Sequence, residues 1–217
     1  MGGTVITKER PILFSGPMVR AILDNGKTQT RRVVKPQSAI LTDQMARALG
    51  VQPPARENQA VISCPYGAPG DRLWVRETWA AFTTPTYEYG EADLIEGPVI
   101  QEEAAVVYRA DGKSMPERWR PSIFMPRWAS RILLEITDVR VERLQDISED
   151  DARAEGITEL SLQEGEPGAW WTAAPDRCLH SRTPTGAYRR LWQSINGDGS
   201  WDANPLVWVV SFKRLQP

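Results

Sequence analysis

The stretch RILLEITDVRVERL, residues 131–144, gives the clearest indication of the fold class. Apolar and polar side chains largely alternate along it, with Ile132, Leu134 and Ile136 against Arg131, Glu135 and Thr137. A repeat of two residues is typical of an antiparallel strand that buries one face and exposes the other. The stretch therefore predicts one long, half-buried strand.

Shorter segments on either side predict further strands. A Pro-Gly-Asp turn at residues 69–71 leads into an apolar segment at 73–77, and another apolar segment covers 104–109. Residues 206–212 are rich in valine and aromatic side chains, which favour strands. These segments predict several strands beside the long one.

Short amphipathic helices are predicted between the strands. The first carries apolar residues at helical spacing and ends at Asn25, since asparagine tolerates a positive φ. The second begins at Ser148, which with Asp151 three residues later resembles a capping box, and it ends at Gly156. The third has apolar residues at i, i+3, i+4 and i+7, namely Tyr188, Leu191, Trp192 and Ile195.

Several strands, few helices and no regular alternation of strand and helix predict an α+β fold. The expected architecture is a small β-barrel with short flanking helices and loop insertions. At 217 residues the chain is long enough for one well-buried domain with insertions. We therefore expect a single domain over residues 1–217, with irregular insertions at about 37–62 and 159–185.

The composition limits the classes of function. An apolar fraction of 41% and a charged fraction of 25% are ordinary for a soluble globular protein. The net charge of −2 provides no overall basic field, so nucleic-acid binding would need a local basic patch. No apolar run approaches the roughly 18 residues that cross a bilayer, and no signal peptide opens the chain. We therefore expect a cytoplasmic protein without a membrane partner.

Cysteine and histidine are too few for most disulfide or metal chemistry. Cys64 and Cys178 lie far apart, which favours reduced thiols over a disulfide framework. His180 is the single histidine, and its spacing from the cysteines matches no standard zinc pattern. We expect neither a metal site nor a cofactor.

Residues 25–32, Asn-Gly-Lys-Thr-Gln-Thr-Arg-Arg, carry the strongest candidate chemistry. Lys27 stands three residues before Thr30, and the two side chains can supply a base and a nucleophile. The paired Arg31 and Arg32 can hold an anionic or planar ligand. The alternative interpretation is a basic, solvated turn that leads into a strand.

These features together resemble the ASCH domain, a family of PUA-like β-barrels that bind RNA, nucleosides or modified bases. The resemblance rests on residues 27–32, the capped helix at 147–156 and the apolar C-terminal strand, in that order. The chain is more narrowly similar to long ASCH proteins of phages and prophages, whose recurrent stretches match residues 28–32, 69–79, 125–131 and 201–205. The resemblance implies a PUA-like barrel with modified nucleosides or RNA as partners.

Some small bacterial ASCH proteins are amidohydrolases that remove an acyl group from the exocyclic amine of cytidine, as in 4-acetylcytidine. Their catalytic set is a lysine, a threonine three residues later and a glutamate near the end of the short capped helix. The resemblance implies that Lys27, Thr30 and Glu155 are catalytic here, and that Arg32 matches the arginine of that family.

The chain departs from the family pattern at two positions. Asn25 stands where the family has a glycine two residues before the lysine, and Gly26 adjoins Lys27 instead. Phe124 stands where the long phage relatives often have histidine.

The residue types suit amide hydrolysis under one geometric condition. Thr30 can attack an amide if Lys27 is partly neutral, and burial or neighbouring arginine charges lower the pKa of a lysine. Glu155 is expected near a helix C-terminus, whose negative end favours the protonated acid that a leaving amine needs. Because Lys27 and Thr30 differ by an odd number, a regular strand would separate them, so a turn or bulge must intervene.

A second group of candidate ligands lies within residues 121–131. Two prolines fix a loop that presents Ser122, and Arg127, Trp128 and Arg131 follow it. Aromatic faces stack bases and arginines hold phosphates in proteins that bind single-stranded RNA. The alternative is that the nine tryptophans mostly fill the core.

Three classes of function remain open at this point. The first is a hydrolase of acylated cytidine or a related modified base. The second is a non-enzymatic reader of RNA or modified nucleic acid. A ribonuclease is intermediate between these two classes, since it binds RNA and also cleaves it. The single histidine excludes a two-histidine mechanism of cleavage. The third is a phage morphogenetic or assembly protein, which should expose a large apolar patch. The sequence determines neither the substrate nor the oligomeric state.

Overall fold

The long strand expected within residues 131–144 is present and lies in the middle of the largest sheet. The computed structural model describes residues 7–35, 64–88, 99–112, 118–160, 169–173 and 179–216. The strands and α-helices follow the order β1 (Glu9–Leu13), α1 (Gly16–Leu23), β2 (Gln29–Val33), β3 (Arg72–Arg76), β4 (Trp79–Glu88), β5 (Val99–Tyr108), β6 (Leu133–Arg143), α2 (Glu149–Ala154), β7 (Thr158–Leu160), β8 (Trp170–Thr172), β9 (His180–Ser181), α3 (Pro184–Asn196) and β10 (Leu206–Leu215).

Ten strands of the described residues form three sheets. The largest has the order β1-β3-β6-β10-β2, in which β1 and β3 run parallel and the other neighbours run antiparallel. β4 pairs with β5, and β8 lies between β7 and β9. The expected α+β class is confirmed, and within the described ranges the strands form three separate sheets without a closed barrel.

β10 separates two apolar cores. Its even-numbered residues, such as Trp208 and Val210, pack into one core beside Leu134 and Ile136 of β6. Its odd-numbered residues, such as Val209, pack into a second core against α2 and α3. Burial on both faces explains why this strand is a nearly continuous apolar run, whereas the half-buried β6 alternates.

The predicted helices are all present, each with an apolar face in a core. Val19 and Ile22 of α1 are buried in the first core, and Tyr188 and Trp192 of α3 are buried in the second. Both helices pack at the spacing that the sequence predicted. No helix among the described residues is long and apolar enough to cross a membrane.

One strand was missed, and one expectation about an insertion requires correction. β4 was not predicted, because Pro85 interrupts its pattern; Pro85 pairs with Glu102 of β5 and with no other described strand, and proline is tolerated at such an edge. At its first residue, Trp79, β4 also forms an isolated backbone bridge with Arg120. The segment 159–185 was expected to be irregular, but its described parts include β8 and β9, which form a sheet with β7. These strands are too short to show a period and depend on pairing with each other. The other expected insertion, at 37–62, lies outside the described residues.

The cap of α2 is half of the expected capping box. The Ser148 hydroxyl accepts a hydrogen bond from the backbone N–H of Asp151 at 3.1 Å, as predicted. The Asp151 carboxylate does not complete the box among the described contacts and instead binds Arg31 and Arg140. The ionic contacts of Asp151 with two arginines therefore take precedence over its local capping preference.

Asn25 makes the turn after α1 in the left-handed region, with a φ of +57°. It adopts the conformation that a glycine would supply at this position. We predict that Asn25→Gly leaves the free energy of unfolding within about 0.5 kcal/mol of wild type. Asn25→Val should lower it by about 1–2 kcal/mol, because a β-branched residue is strained at this φ. Urea denaturation measures both changes, and equal losses in the two variants would contradict the role of φ.

Candidate active site

Lys27 lies between α1 and β2 in a short irregular segment. The backbone N–H groups of Gly26 and Lys27 both donate to the carbonyl of Ala21, which ends α1. Lys27 then forms an isolated backbone bridge with Glu155 at the end of α2. Since Lys27 precedes the regular strand, strand alternation does not fix its direction relative to Thr30.

The Lys27 and Glu155 side chains meet in a buried ion pair. Lys27 Nζ donates to Glu155 Oε2 at 2.6 Å and to the backbone carbonyl of Glu155 at 2.8 Å. Both side chains are almost fully buried, at 0% and 3% exposure. Arg31 Nη1 and the Tyr188 hydroxyl also donate to Glu155 Oε1, at 3.3 and 3.5 Å. Two cationic side chains and one hydroxyl group therefore donate to Glu155.

Arg31 extends this cluster towards β6 and α2. Its guanidinium donates to Glu142 at 2.6 and 2.9 Å, to Asp151 at 3.0 Å and to Gln29 at 2.7 Å. The Arg31 side chain has no exposed surface, so its charge needs these partners. Arg31 was predicted to bind a ligand; its guanidinium is occupied by the protein's own carboxylates.

The environment shifts three pKa values at the site. Burial lowers the pKa of Lys27 against the opposing effect of Glu155, and the charges of Arg32 and Arg31 lower it further. Burial and the Glu155 charge raise the pKa of Tyr188 well above its usual value. Burial disfavours the charged Arg31, but Glu155 and Glu142 outweigh it and raise its pKa. A lysine with a lowered pKa is closer to the neutral amine that a general base requires.

Gly156 allows the close approach of the two chain segments that carry the pair. Its φ is +93°, and a Cβ added there would lie 3.1 Å from Ala21 Cβ and 3.3 Å from Lys27 Cβ. A larger residue would therefore push the end of α2 away from Lys27. The sequence predicted Gly156 only as a helix stop.

A narrow cleft lies beside β2, the strand at the end of the described five-stranded sheet, and has Glu155 in its wall. It encloses about 70 Å³ and is lined by Met18, Thr30, Arg31, Arg32, Val33, Glu155, Tyr188, Leu191, Trp192, Ile195 and Asn196. Residues from both faces of β2 reach the cleft because β2 is an edge strand.

The structure thus assembles the predicted catalytic set in part. Lys27 and Glu155 are in direct contact, and Thr30 and Glu155 line one cleft. Within the described part of the chain, the Thr30 hydroxyl makes no hydrogen bond to either of the other two. A nucleophile and its base usually lie within about 2.6–3.2 Å, often more loosely without substrate.

The other predicted ligands lie away from this cleft. Arg127 pairs with Glu9 at 2.9 Å on the surface. Ser122 begins a 3-10 turn over Ser122–Phe124, and Trp128 is 67% exposed with its ring against that of Trp79. These residues do not line the cleft among the described contacts.

Arg131 is bound by two carboxylates of the protein. Its guanidinium binds the buried carboxylate of Glu77 at 2.9 Å and Asp111 at 2.7 Å, and it stacks 3.9 Å from the centre of the Tyr108 ring. These partners occupy its donors, as the Glu142 contact does for Arg31.

The sequence did not predict two residues of the charge cluster around Lys27 and Glu155. The helical spacing predicted that Tyr188 is buried, but not that its hydroxyl donates to Glu155. Glu142 lies within the predicted long strand and was given no role, yet its carboxylate accepts a hydrogen bond from Arg31. Neither polar contact has a local signal, because each joins residues more than 30 positions apart.

The described residues contain no group of three or more His, Cys, Asp and Glu side chains placed to hold a metal ion. Cys64 is a free thiol. Comparison of the chain with models of protein families, with curated proteins and with solved structures finds no match in any of the three.

Asp151 allows a test of the charge cluster. Burial opposes its ionisation, but the charges of Arg31 and Arg140 lower the pKa of its carboxyl below the usual value. A lowered pKa in the folded state stabilises the fold above the ordinary aspartate pKa of about 3.9 and loses that effect as pH falls. We therefore predict that Asp151→Asn costs about 1–3 kcal/mol at pH 7, and that its difference from wild type shrinks below about pH 4.

Urea denaturation between neutral and acidic pH measures this difference. Asp150→Asn is the matched control, since the neighbouring Asp150 side chain is 94% exposed. The same pH dependence in both variants would contradict the assignment of the effect to the Arg31 cluster.

Proposed function

We propose that this chain is an ASCH-type amidohydrolase that removes an acyl group from the exocyclic amine of a cytidine-like base. The observation that carries the proposal is the buried contact of Lys27 with Glu155 in the wall of a cleft that Thr30 also lines. This set combines an amine with a lowered pKa, a proton-sharing carboxyl group and a hydroxyl. Amide hydrolysis requires the same three functions.

The ion pair can deliver the base and the acid together. Transfer of one proton from Lys27 Nζ to Glu155 Oε2, along their 2.6 Å contact, gives a neutral amine and a carboxylic acid. The neutral Lys27 accepts the proton of Thr30 as Oγ1 attacks the acyl carbon. The C–N bond then breaks, and the leaving exocyclic amine takes the proton of Glu155. This step leaves an acyl ester on Thr30 and restores the charged pair.

A second proton transfer within the pair allows water to cleave the ester. Water gives its proton to Lys27 and attacks the acyl carbon, and Thr30 Oγ1 leaves with the proton of Glu155. The products are a carboxylic acid and free Thr30. The positive charges of Arg31 and Arg32, which also line the cleft, favour the negative charge that develops on the acyl oxygen.

The finer fold assignment also belongs to this proposal. We expect the five-stranded sheet to be the PUA-like barrel of the ASCH resemblance, curled so that its two edge strands approach each other. The contact in favour is the hydrogen bond from Arg32 Nη2, on β2, to the carbonyl of Leu13, on β1, at 2.6 Å. Lys27 and Arg32 also lie 5.7 and 5.4 Å from the centre of the Phe14 ring between these edges.

A non-enzymatic reader of modified bases is the second candidate. The observation in its favour is that no hydrogen bond joins the Thr30 hydroxyl to Lys27 or Glu155 in the described residues. A reader needs a pocket with polar partners for a base edge and does not need an activated nucleophile.

The test is release of cytidine from 4-acetylcytidine by purified protein. We predict that Thr30→Ala lowers kcat/KM at least about 100-fold, because the attacking oxygen is lost, while Thr30→Ser stays within about tenfold of wild type. Glu155→Gln should also lose at least about 100-fold, since an amide cannot carry the transferred proton. Thr28→Ala is the matched control, because Thr28 is exposed two residues away and only its backbone is hydrogen-bonded to described residues.

Circular dichroism and thermal unfolding establish that each variant is folded. Wild-type activity in Thr30→Ala would refute Thr30 as the nucleophile. A folded wild type that binds 4-acetylcytidine saturably without releasing cytidine would favour the reader.

A further inference from the structure

A larger cavity adjoins the cleft. It encloses about 500 Å³, and Arg32, Val33 and Asn196 line both spaces. The cavity is also lined by Lys35, Pro65, Tyr66 and Trp208. Its volume lies within the range of about 300–1,000 Å³ that is usual for small-molecule sites. The cleft of about 70 Å³ is too small for a nucleoside, so a substrate that reaches Glu155 must extend beyond it.

The charge of the cavity is positive. Its described lining contains the cations Arg32 and Lys35 and no carboxylate. Lys35 is exposed and forms no ion pair with a described residue. This differs from Arg31, whose charge is met by carboxylates of the protein on several sides. Cations that no described carboxylate neutralises attract an anionic ligand when they lie beside a cavity.

Arg32 provides an independent indication of a missing acceptor. Its Nη2 donates to the carbonyl of Leu13, but its Nε is buried and has no hydrogen-bond acceptor within the described structure. A buried donor without an acceptor is unfavourable, and most such groups in proteins are satisfied. A ligand oxygen at the junction of cleft and cavity would be a partner for this side chain.

We infer that the cavity is a phosphate subsite of the proposed active site, so that the substrate is a phosphorylated acylcytidine. The acylated edge of the base enters the cleft next to Thr30 and Glu155. The sugar and its phosphate occupy the cavity, with the phosphate oxygens against Arg32 and Lys35. The inference rests on the proposed function and adds the substrate class. A free nucleotide and a cytidine residue within RNA carry the same phosphate chemistry.

The test is equilibrium binding measured by titration calorimetry at low salt, which requires no turnover. The probes are cytidine, cytidine 5′-monophosphate, cytidine 3′-monophosphate and an RNA trinucleotide with a central cytidine. We expect at least one phosphorylated probe to bind wild type about tenfold or more tightly than cytidine, because charged hydrogen bonds to phosphate are strong. The preference should weaken as salt is added.

Lys35→Gln should reduce this phosphate preference to about threefold or less, since one of two cations is lost. Lys8→Gln is the matched control, because Lys8 is an exposed lysine outside the cavity, and it should keep the full preference. Tight binding of a monophosphate identifies a free nucleotide as a sufficient ligand, whereas tight binding of the trinucleotide alone identifies RNA.

Equal affinity for cytidine and every phosphorylated probe would overturn the inference, as would an undiminished preference in a folded Lys35→Gln variant. The proposed function fails separately. If wild type prefers phosphorylated cytidine but releases no cytidine from 4-acetylcytidine or its phosphates, the phosphate subsite stands and the hydrolase does not.

Discussion

The candidate active site is arranged around the buried ion pair of Lys27 and Glu155. Burying a charged side chain costs free energy, and proteins tolerate such burial when each charged group is paired and fully hydrogen-bonded. Glu155 fills its capacity with Lys27, Arg31 and Tyr188, and Lys27 adds the backbone carbonyl of Glu155. The backbone also allows this contact. Asn25 makes a left-handed turn just before Lys27, and Gly156, which has no Cβ, lets the segment after α2 lie close to Lys27.

The pair also determines the roles of more distant charges. Arg31 reaches Glu155 and must be neutralised in turn, so β6 supplies Glu142 and α2 supplies Asp151. Asp151 consequently does not complete the capping box, and among the described residues the side-chain cap of α2 is the Ser148 hydroxyl. The cluster thus links β2, β6, α2 and α3. Through Tyr188, which belongs to the second core, the cluster connects β2 to that core.

Sequence patterns predicted the elements whose physics is local. The alternation in β6, the apolar face of α3 and the Ser148 cap each follow from neighbouring residues, and the structure contains all of them. β4 and the sheet of β7, β8 and β9 were missed, because short or proline-containing edge strands are stabilised by their partners. The Lys27–Glu155 contact spans 128 positions, so only the family resemblance indicated it. Arg31 and Arg131 were expected to hold ligands, because a sequence shows a charge but not the carboxylates that fold against it.

The buried cluster has a significance that stability alone does not explain. Replacing a buried ion pair with well-packed apolar residues is often neutral or stabilising, and valine and isoleucine fill the cores on either side. This cluster lies in the wall of a cleft at an edge of the sheet that no other described strand pairs with, where its charges adjoin the cleft. The burial that makes the Lys27 charge unfavourable also lowers its pKa, which is the property a base requires. The same desolvation is thus a cost to folding, and in the proposed mechanism it assists proton transfer to Lys27.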